Sequence, residues 1–444
     1  MIRDLKNENR NRIYILVLSF LVLLLSFKSS NQWSDLPIGN ELLWWVVQII
    51  FFIILLQTRK SFSSSQLEKN LFFVKLYFSW NIICIIRGAF TAENYWEWKN
   101  LVATAFFLLL PLLVYVANSF LSLQKISKTW FKYALFMYIP FIPFIWGDGV
   151  GRFLMPFSFL LLFFPILNMK WKIIVLLVTI YVITFDITAR SNVIKFIVPL
   201  AIGLLFYIRK ILAVKFLNTI RLLLLFAPLG LFFLAASGVF NVFKMDEYVD
   251  GEYKTKSSVN NLATYEGPDE ESLIADSRTF LYIEVIESAL LHEYVFLGRT
   301  PARGNDSAYF GEFNKLKLNT GKLERFSNEV SILNIFTWLG AVGVFLYFLI
   351  FIKASYLAIN QSNNIFIKLI GINVAFRWAY GFVEDFSEFD LSNIFLWIMI
   401  GMCFSVSFRK MTDLEFKMWI WGIFANKKTM SKKLLTNLNF NRKS

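Results

Sequence analysis

Hydrophobic residues in this chain fall into long runs that are separated by short polar links. Most runs are about 17 to 22 residues long, the length of an α-helix that crosses a hydrocarbon layer about 30 Å thick. The pattern predicts an all-α polytopic membrane protein with about twelve transmembrane helices. The predicted spans are residues 13–27, 40–57, 71–91, 100–120, 130–146, 150–168, 171–188, 192–208, 220–240, 329–352, 364–383 and 391–408.

These spans divide the chain into four parts. Residues 1–240 hold nine predicted helices, and residues 329–408 hold three more. Residues 241–328 form one large loop, which is too long to be a simple connection. Within this loop, Gly267-Pro268-Asp269 is a typical helix start, and apolar residues then recur at helical spacing. We therefore expect an amphipathic helix near residues 270–293.

The distribution of basic residues predicts the two sides of the membrane. The net charge is +14, yet the large loop holds 10 Lys/Arg against 15 Asp/Glu. The amino-terminal tail and the links on one side hold 17 Lys/Arg, and the short links on the other side hold 4. Because cytoplasmic segments carry the excess of Lys and Arg, both termini are predicted in the cytoplasm and the loop outside. The charge thus indicates membrane lipid, and no nucleic acid, as a partner.

The last part of the chain, residues 409–444, is a basic tail predicted in the cytoplasm. Its stretch Leu414–Phe424 mixes Trp, Phe and Lys. We interpret it as a helix that lies on an anionic membrane surface, with a solvated tail as the alternative.

Metal or disulfide chemistry has little support in the sequence. Cys84 and Cys403 both fall inside apolar runs, and His292 is the single histidine. A disulfide and a Cys-based or multi-His metal site are therefore not expected. No P-loop or dinucleotide-binding pattern is present, so we expect no cofactor.

Charged residues concentrate at the predicted outer ends of the spans, where each is costly unless it is paired or functional. Arginine suits phosphate, because its planar guanidinium offers paired donors and stays charged. Arginines at this depth would suit a lipid diphosphate whose tail remains in the bilayer. The alternative is that they pair with neighbouring acids or extend to the interface. The candidates are Arg87, Arg152, Arg190 and Arg377 near span ends, and Arg278, Arg299, Arg303 and Arg325 in the loop.

An acidic run, Glu384–Asp390, connects the last two predicted spans. It could hold a general base or bind a sugar, but we expect a solvated turn.

Two local patterns resemble the bacterial O-antigen polymerase and O-antigen ligase superfamily. The first is Thr188-Ala189-Arg190-Ser191, which opens a predicted span. The second consists, in order, of Ser277-Arg278, Leu297-Gly298-Arg299, Arg325-Phe326-Ser327-Asn328-Glu329 and Trp338-Leu339-Gly340-Ala341-Val342-Gly343. With the late large loop, this order and spacing cover roughly residues 180–350. The stretch 87–101 is also similar to membrane proteins of surface-polysaccharide synthesis.

The resemblance implies a GT-C-like, metal-independent glycosyltransferase in the bacterial cytoplasmic (inner) membrane. Its substrate would be a glycan linked to undecaprenyl diphosphate, which it would polymerise into O-antigen or capsular polysaccharide on the outer face. A chain-length regulator protein would be a partner. Arg190 and Arg278 match the family's arginines, and we expect them to bind the substrate together with Arg299, Arg303 and Arg377.

One departure from the family pattern bears on the reaction. The ligases have a His-Asn pair, in which the histidine is proposed as the base, where this chain has Ser327-Asn328. Serine cannot replace that base near pH 7, so the departure favours a polymerase over a ligase. The expected catalytic residues become Glu329 and Asn328, or another acid takes the proton. A flippase or other transporter is the alternative class, although internal repeats and mid-membrane charges are not evident. A docking or sensor protein would leave the arginines unexplained.

Overall fold

The computed structural model describes residues 2–186, 189–209, 213–240, 278–307, 311–318 and 320–424. Helices dominate these residues, together with one pair of short antiparallel strands, β1 (Asn305–Asp306) and β2 (Glu324–Arg325). The helices are α1 Ile2–Ser30, α2 Glu41–Phe62, α3 Ser65–Asn70, α4 Phe72–Thr91, α5 Tyr95–Leu108, α6 Leu113–Ala117, α7 Phe120–Tyr138, α8 Gly149–Phe153, α9 Pro156–Leu161, α10 Met169–Phe185, α11 Arg190–Leu204, α12 Val214–Ala236, α13 Arg278–Leu291, α14 Ser331–Asn360, α15 Ile365–Tyr380, α16 Leu391–Phe404, α17 Val406–Lys410 and α18 Asp413–Phe424.

Seven helical segments in the described ranges are long and apolar enough to cross a membrane. They also present large apolar side chains at the surface, such as Leu42, Ile53 and Phe233. An apolar surface of this extent is a membrane-facing surface rather than a water-facing one. The fold is therefore all-α and membrane-embedded, as predicted. The segments are Asn11–Trp33, Glu41–Arg59, Phe72–Thr91, Tyr95–Ala117, Arg190–Ile208, Val214–Ala235 and Ser331–Asn360.

The other five predicted spans coincide with shorter or interrupted helices, so the number of twelve stays a prediction. Helix α7 passes into a 3₁₀ turn at Ile139–Phe144, where two prolines remove backbone donors. Helix α16 has 14 residues, and all of them are buried. A helix that is apolar on every face belongs in the centre of a bundle, and α16 packs there against α6, α14 and α15.

Residues at or near the ends of the predicted spans meet in two groups. At the ends predicted outside, Arg152 pairs with Glu388 at 2.9 Å, and the rings of Trp33 and Trp146 pack 5.0 Å apart. At the ends predicted inside, the Asn118 amide donates to the Phe62 carbonyl at 2.9 Å. The bundle thus has two distinct ends, although which end faces the cytoplasm stays a prediction.

Helix α14 is broken at Gly340, and the loop segment 295–299 fills the break. Gly340 has φ +69° and ψ −174°, a conformation that glycine adopts most readily. The Ala341 N–H donates to the Val295 carbonyl at 2.8 Å, and the Arg299 N–H donates to the Thr337 carbonyl at 2.7 Å. Irregular backbone inside a membrane protein needs such partners. The patterns Leu297-Gly298-Arg299 and Trp338–Gly343, which the sequence singled out separately, are therefore in contact.

The described part of the predicted amphipathic helix is α13, and it packs on the bundle. Its residues Leu281, Val285 and Ala289 are buried, at the helical spacing that the sequence predicted. The Tyr282 hydroxyl donates to the Phe382 carbonyl at 2.9 Å, which fixes α13 to the end of α15. Residues 241–277, which include Gly267-Pro268-Asp269 and Ser277, lie outside the described residues, as does Thr188.

Helix α18 covers the whole stretch Leu414–Phe424 interpreted as a surface helix. Its Phe416, Trp419 and Ile420 are buried, and the Gln124 amide of α7 donates to the Trp419 carbonyl at 2.6 Å. Because α18 packs on the helix bundle, the alternative of a solvated tail is wrong for these residues. Residues 425–444 lie outside the described part.

Candidate functional site

The amino ends of α11 and α13 both lie at the carboxyl end of α15. Arg190 is the first residue of α11, and the carbonyl of the next residue, Ser191, accepts a hydrogen bond from the Tyr380 hydroxyl at 3.5 Å. Arg278 is the first described residue of α13, and one turn later the Tyr282 hydroxyl donates to the Phe382 carbonyl, just beyond the end of α15, at 2.9 Å. The two arginines that the sequence analysis paired therefore lie in helices that both contact the carboxyl end of α15.

Arg377 lies one turn before Tyr380 in α15 and is buried. Its Nη2 donates to the Ser392 hydroxyl at 2.9 Å, and its guanidinium lies over the Phe386 ring at 3.7 Å. Arg377 thus bonds to a hydroxyl rather than directly to a carboxylate. Its Nε has no hydrogen-bond partner among the described residues.

Two adjoining cavities open beside these residues. One is lined by Gly151, Arg152, Asn192, Lys195, Asp385 and Asp390, among others, and is small, with room for a group of about the size of one water or hydroxyl. We call it the linker pocket, after the α15–α16 linker 381–390 that forms one wall. The second is also small and is lined by Arg377, Tyr380 and other residues. Lys195 lines both, so the two cavities are neighbours.

Lys195 reaches the pocket because α11 is fixed around a proline. Pro199 has no N–H, so it cannot bond to the Lys195 carbonyl four residues earlier. The Ser158 hydroxyl of α9 donates to that carbonyl instead, at 2.6 Å. The buried Lys195 ammonium donates to Glu384 at 2.7 Å and to the Ser191 hydroxyl at 3.0 Å. The lysine thus ties the Arg190-Ser191 turn to the linker.

Asn192 is the least satisfied polar side chain of the linker pocket. It is 1% exposed, and neither its Oδ1 nor its Nδ2 has a hydrogen-bond partner in the described ranges. Its amide lies against Gly151, where an added Cβ would be 2.1 Å from Oδ1. Buried polar atoms are nearly always bonded to protein or water. An amide left with both ends open therefore suits a polar ligand in the pocket.

The acidic linker is not the solvated turn that we expected. Asp390 is buried and accepts from the Asn393 N–H at 2.8 Å, so it caps α16. Asp385 is partly buried and accepts from the Ser387 N–H at 2.8 Å and the Asn334 amide at 3.3 Å. Only Glu388 is exposed among the linker carboxylates. Burial, and next the negative charge of Glu388, raise the pKa of Asp385 to about 7.

Arg299 and Arg303 belong to a separate group of charges in the loop. Arg299 pairs with Asp306 at 2.7 Å and with Glu324 at 3.1 Å. The Arg303 Nε donates to Glu324 at 2.9 Å, and Glu97 of α5 lies 4.0 Å away. We call these five residues the loop network. Both guanidinium groups are held by carboxylates, and their predicted role in substrate binding stays a prediction.

Asn328 and Glu329, the expected catalytic residues, have different surroundings. The Asn328 amide donates to Asn305 at 2.9 Å, and its backbone carbonyl accepts from the Asn334 amide at 2.8 Å. Asn334 also donates to the Ser387 hydroxyl at 2.7 Å, so Asn328 is connected to the linker. Glu329 is 63% exposed and contacts Arg325 at 3.3 Å. Their catalytic roles stay predictions.

Sequence reasoning did not select Asn192 or Lys195. Lys195 carried a usable signal, because a lysine inside a predicted span is costly without a partner or a function. It also follows Arg190-Ser191 by about one turn and shares a helix face with Asn192. Asn192 alone carried no such signal, since a single asparagine in an apolar helix is common.

Among the described residues, no group of three or more His, Cys, Asp or Glu side chains could hold a metal ion. Comparisons of the chain with protein-family models, with curated proteins and with solved structures find no match. The functional interpretation therefore depends on the residues and their geometry.

Proposed function

We propose that this chain polymerises oligosaccharide units linked to undecaprenyl diphosphate into O-antigen or capsular polysaccharide. The reaction is a glycosyl transfer on the outer face of the bacterial cytoplasmic membrane, within a GT-C-like bundle of about twelve spans. One observation supports the proposal above others: α11, which begins at Arg190, and the described part of α13, whose first residue is Arg278, both contact the carboxyl end of α15, through Ser191 and Tyr282. That position is where two guanidinium groups could hold one diphosphate.

The chemistry follows from the leaving group. As the bond between sugar and diphosphate breaks, negative charge develops on the phosphate oxygens and needs fixed positive donors. Arg190 and Arg278 supply them, with Arg377 one turn deeper in α15. A carboxylate at the same end of the bundle accepts the proton of the attacking hydroxyl. The lipid diphosphate bond supplies the energy, so no nucleotide is needed.

Two other functions make different predictions. A ligase would transfer the glycan to lipid A core, but Ser327 stands where the ligases have their proposed base. A flippase would move the lipid-linked unit without joining units, and transporters hold their substrates near the middle of the membrane. In this chain the candidate residues lie at helix ends, which supports transfer rather than transport.

The direct test is incubation of the purified full-length chain with lipid-diphosphate repeat units. These are extracted from cells that lack this chain, and the products are separated on a gel. We expect a ladder of polymer from the unaltered protein, and none from Arg190→Ala or Arg278→Ala. Arg190→Lys should retain part of the activity, because a point charge replaces a paired donor only in part.

The matched control is Arg209→Ala. This arginine lies beside the Phe206 ring, in a link predicted on the cytoplasmic side, and its loss should leave the ladder intact. Unaltered chain lengths in both Arg190→Ala and Arg278→Ala would refute the proposed site. A single product that forms only when lipid A core is added, with no ladder, would identify a ligase instead.

A further inference from the structure

We propose that the linker pocket binds the hydroxyl-bearing acceptor end of the glycan, and that Asp385 takes the proton from the attacking hydroxyl. The inference rests on the proposed glycosyl transfer and assigns the second substrate of that reaction. The acceptor pocket is thus separate from the arginine pair Arg190 and Arg278, which holds the donor diphosphate.

The balance of charge argues for a neutral ligand. Two cations, Arg152 and Lys195, line the linker pocket together with two carboxylates, Asp385 and Asp390. This near balance would not attract a second diphosphate, because the carboxylates offset the cations. Mixed carboxylate, amide and guanidinium groups suit sugar hydroxyls, which both donate and accept hydrogen bonds.

Unfilled hydrogen-bonding capacity at the pocket also argues for such a ligand. Asn192 presents one donor group and one acceptor, both buried and both without a partner in the part of the chain that the structure describes. The Arg152 Nε, which belongs to another residue of the pocket lining, is likewise without a hydrogen-bond partner there. A hydroxyl that both donates and accepts could satisfy the two atoms of the Asn192 amide. An apolar ligand would leave them unsatisfied, at a cost in binding.

Asp385 suits the role of base better than Glu329 does. Glu329 is 63% exposed and paired with Arg325, so it lies in water rather than in a cavity. Asp385 lines the pocket that holds Asn192. Its Oδ1 is already oriented by the Ser387 N–H and the Asn334 amide. A general base must reach the proton that it abstracts, and a base in the pocket wall meets that condition.

The proposed step balances in atoms and charge. The acceptor hydroxyl oxygen bonds to the anomeric carbon of the donor, while the bond from that carbon to the diphosphate oxygen breaks. The electron pair leaves with the diphosphate, held by Arg190 and Arg278. The hydroxyl proton moves to the Asp385 carboxylate and from there to water.

The test separates the acceptor from the donor. Repeat-unit oligosaccharide is released from its lipid by mild acid, so it keeps its hydroxyls but cannot act as a donor. The purified full-length chain joins it to the extracted lipid-diphosphate repeat unit, and the rate is measured against each substrate. Asn192→Ala should raise KM for the free oligosaccharide about tenfold, roughly the loss of one or two hydrogen bonds. KM for the lipid-linked donor should not change, and Asn218→Ala, outside the pocket, is the matched control.

Asp385 is tested by its pH profile. Arg152 of α8, Lys195 of α11, Arg377 of α15 and the linker carboxylates surround it. Because the base must be ionised, kcat/KM should rise with pH and level off above about 7. Asp385→Asn should lower kcat about 10²- to 10⁴-fold and abolish that rise. Glu41→Gln, which removes an exposed carboxylate paired with Lys99, should keep both the rate and the profile.

Glu388→Gln distinguishes a catalytic role of Asp385 from a merely structural one, because only a catalytic role links the pH profile to the charge of Glu388. The substitution removes a negative charge that raises the Asp385 pKa, and it also frees Arg152, which lowers that pKa. The rise in kcat/KM should therefore shift to lower pH. Glu93→Gln, an exposed carboxylate elsewhere, should leave the profile in place.

The outcomes distinguish failure of the proposed function from failure of the acceptor pocket alone. If the unaltered chain forms no product from donor and oligosaccharide, the proposed function fails and this inference fails with it. If product forms, but Asn192→Ala keeps the KM for oligosaccharide or Asp385→Asn keeps kcat, then polymerisation stands and the acceptor pocket is refuted.

Discussion

The loop network and the linker pocket differ in whether their buried polar groups have hydrogen-bond partners. In the loop network, Glu324 is shared by Arg299 and Arg303, and Asp306 takes a further bond from Arg299. In the linker pocket, the Asn192 amide is buried without a hydrogen-bond partner among the described residues. Both groups are rich in ionisable residues, so the number of charges does not distinguish them.

The difference indicates which of the two regions is built for a ligand. A network whose donors and acceptors meet each other holds two chain segments together, and here it fixes the loop to α5. A buried group that remains open lowers stability unless something binds it. The number of arginines in a region therefore does not distinguish a ligand site from a structural network in this protein, whereas unfilled hydrogen-bonding capacity does.

The largest effect on stability should come from Glu324→Gln. Glu324 is 4% exposed, and its loss leaves the side chains of Arg299 and Arg303, 11% and 18% exposed, short of a counter-charge. Breaking a buried ion pair by removing one partner costs about 3 to 5 kcal/mol. Thermal unfolding of the purified chain in detergent should show the loss, together with faster proteolysis of the loop.

The control for this prediction is Glu329→Gln, which removes an exposed carboxylate with one contact to Arg325. Exposed pairs contribute about 0 to 1 kcal/mol, so little change is expected. Equal unfolding temperatures for the two variants would show that the loop network does not hold the loop.

A smaller loss should follow Gly340→Ala, which tests the joint between the loop and α14. Alanine at φ +69° is strained by about 1 to 3 kcal/mol, and its Cβ would lie 2.2 Å from the Phe296 carbonyl oxygen. Because that neighbour is backbone, the loop segment has to move. The midpoint of thermal unfolding measures the effect. Gly230→Ala is the matched control, since its Cβ would meet nothing within 4 Å, and an equal shift for both would argue against the joint.

The positions of most helices could be predicted from the sequence, because apolar runs of membrane-crossing length are a local property. Helix α16 was placed by its apolar run, Leu391–Phe404, although its central position depends on neighbours that the sequence does not specify. The division of other apolar runs into short helices, such as α8 and α9, depends on proline and turn residues. The length of an apolar run alone does not predict these breaks.

The candidate site was predictable only in part, and sequence distance is the reason. Arg190 begins α11 and Arg278 is the first described residue of α13, and a local sequence pattern identifies each of them. The pairing of Lys195 with Glu384 joins residues 189 positions apart, so no local pattern reveals that the linker is buried. The solvated turn that we expected at Glu384–Asp390 was wrong for this reason. An isolated acidic run looks the same whether water or a lysine faces it.

Gly151→Ala should change stability least, and it tests most directly whether the linker pocket, in contrast to the loop network, is a ligand site. In contrast to Gly340, the added Cβ would meet only the Asn192 side chain, at 2.1 Å from Oδ1. The amide can turn away, and alanine is favoured over glycine in a helix by about 1 kcal/mol, so the two effects on stability should nearly cancel. The acceptor KM should nevertheless rise several-fold, because the Asn192 amide no longer presents its atoms to the pocket.

A double-mutant cycle then decides whether Gly151 acts through Asn192. In the Asn192→Ala background the side chain that Gly151 accommodates is gone, so Gly151→Ala should raise the acceptor KM no further. Independent effects that multiply would mean that the glycine shapes the pocket by another route. In that case the unpartnered Asn192 amide would not mark the ligand site. Non-additive effects would instead show that Gly151 contributes to acceptor binding by leaving room for the Asn192 amide.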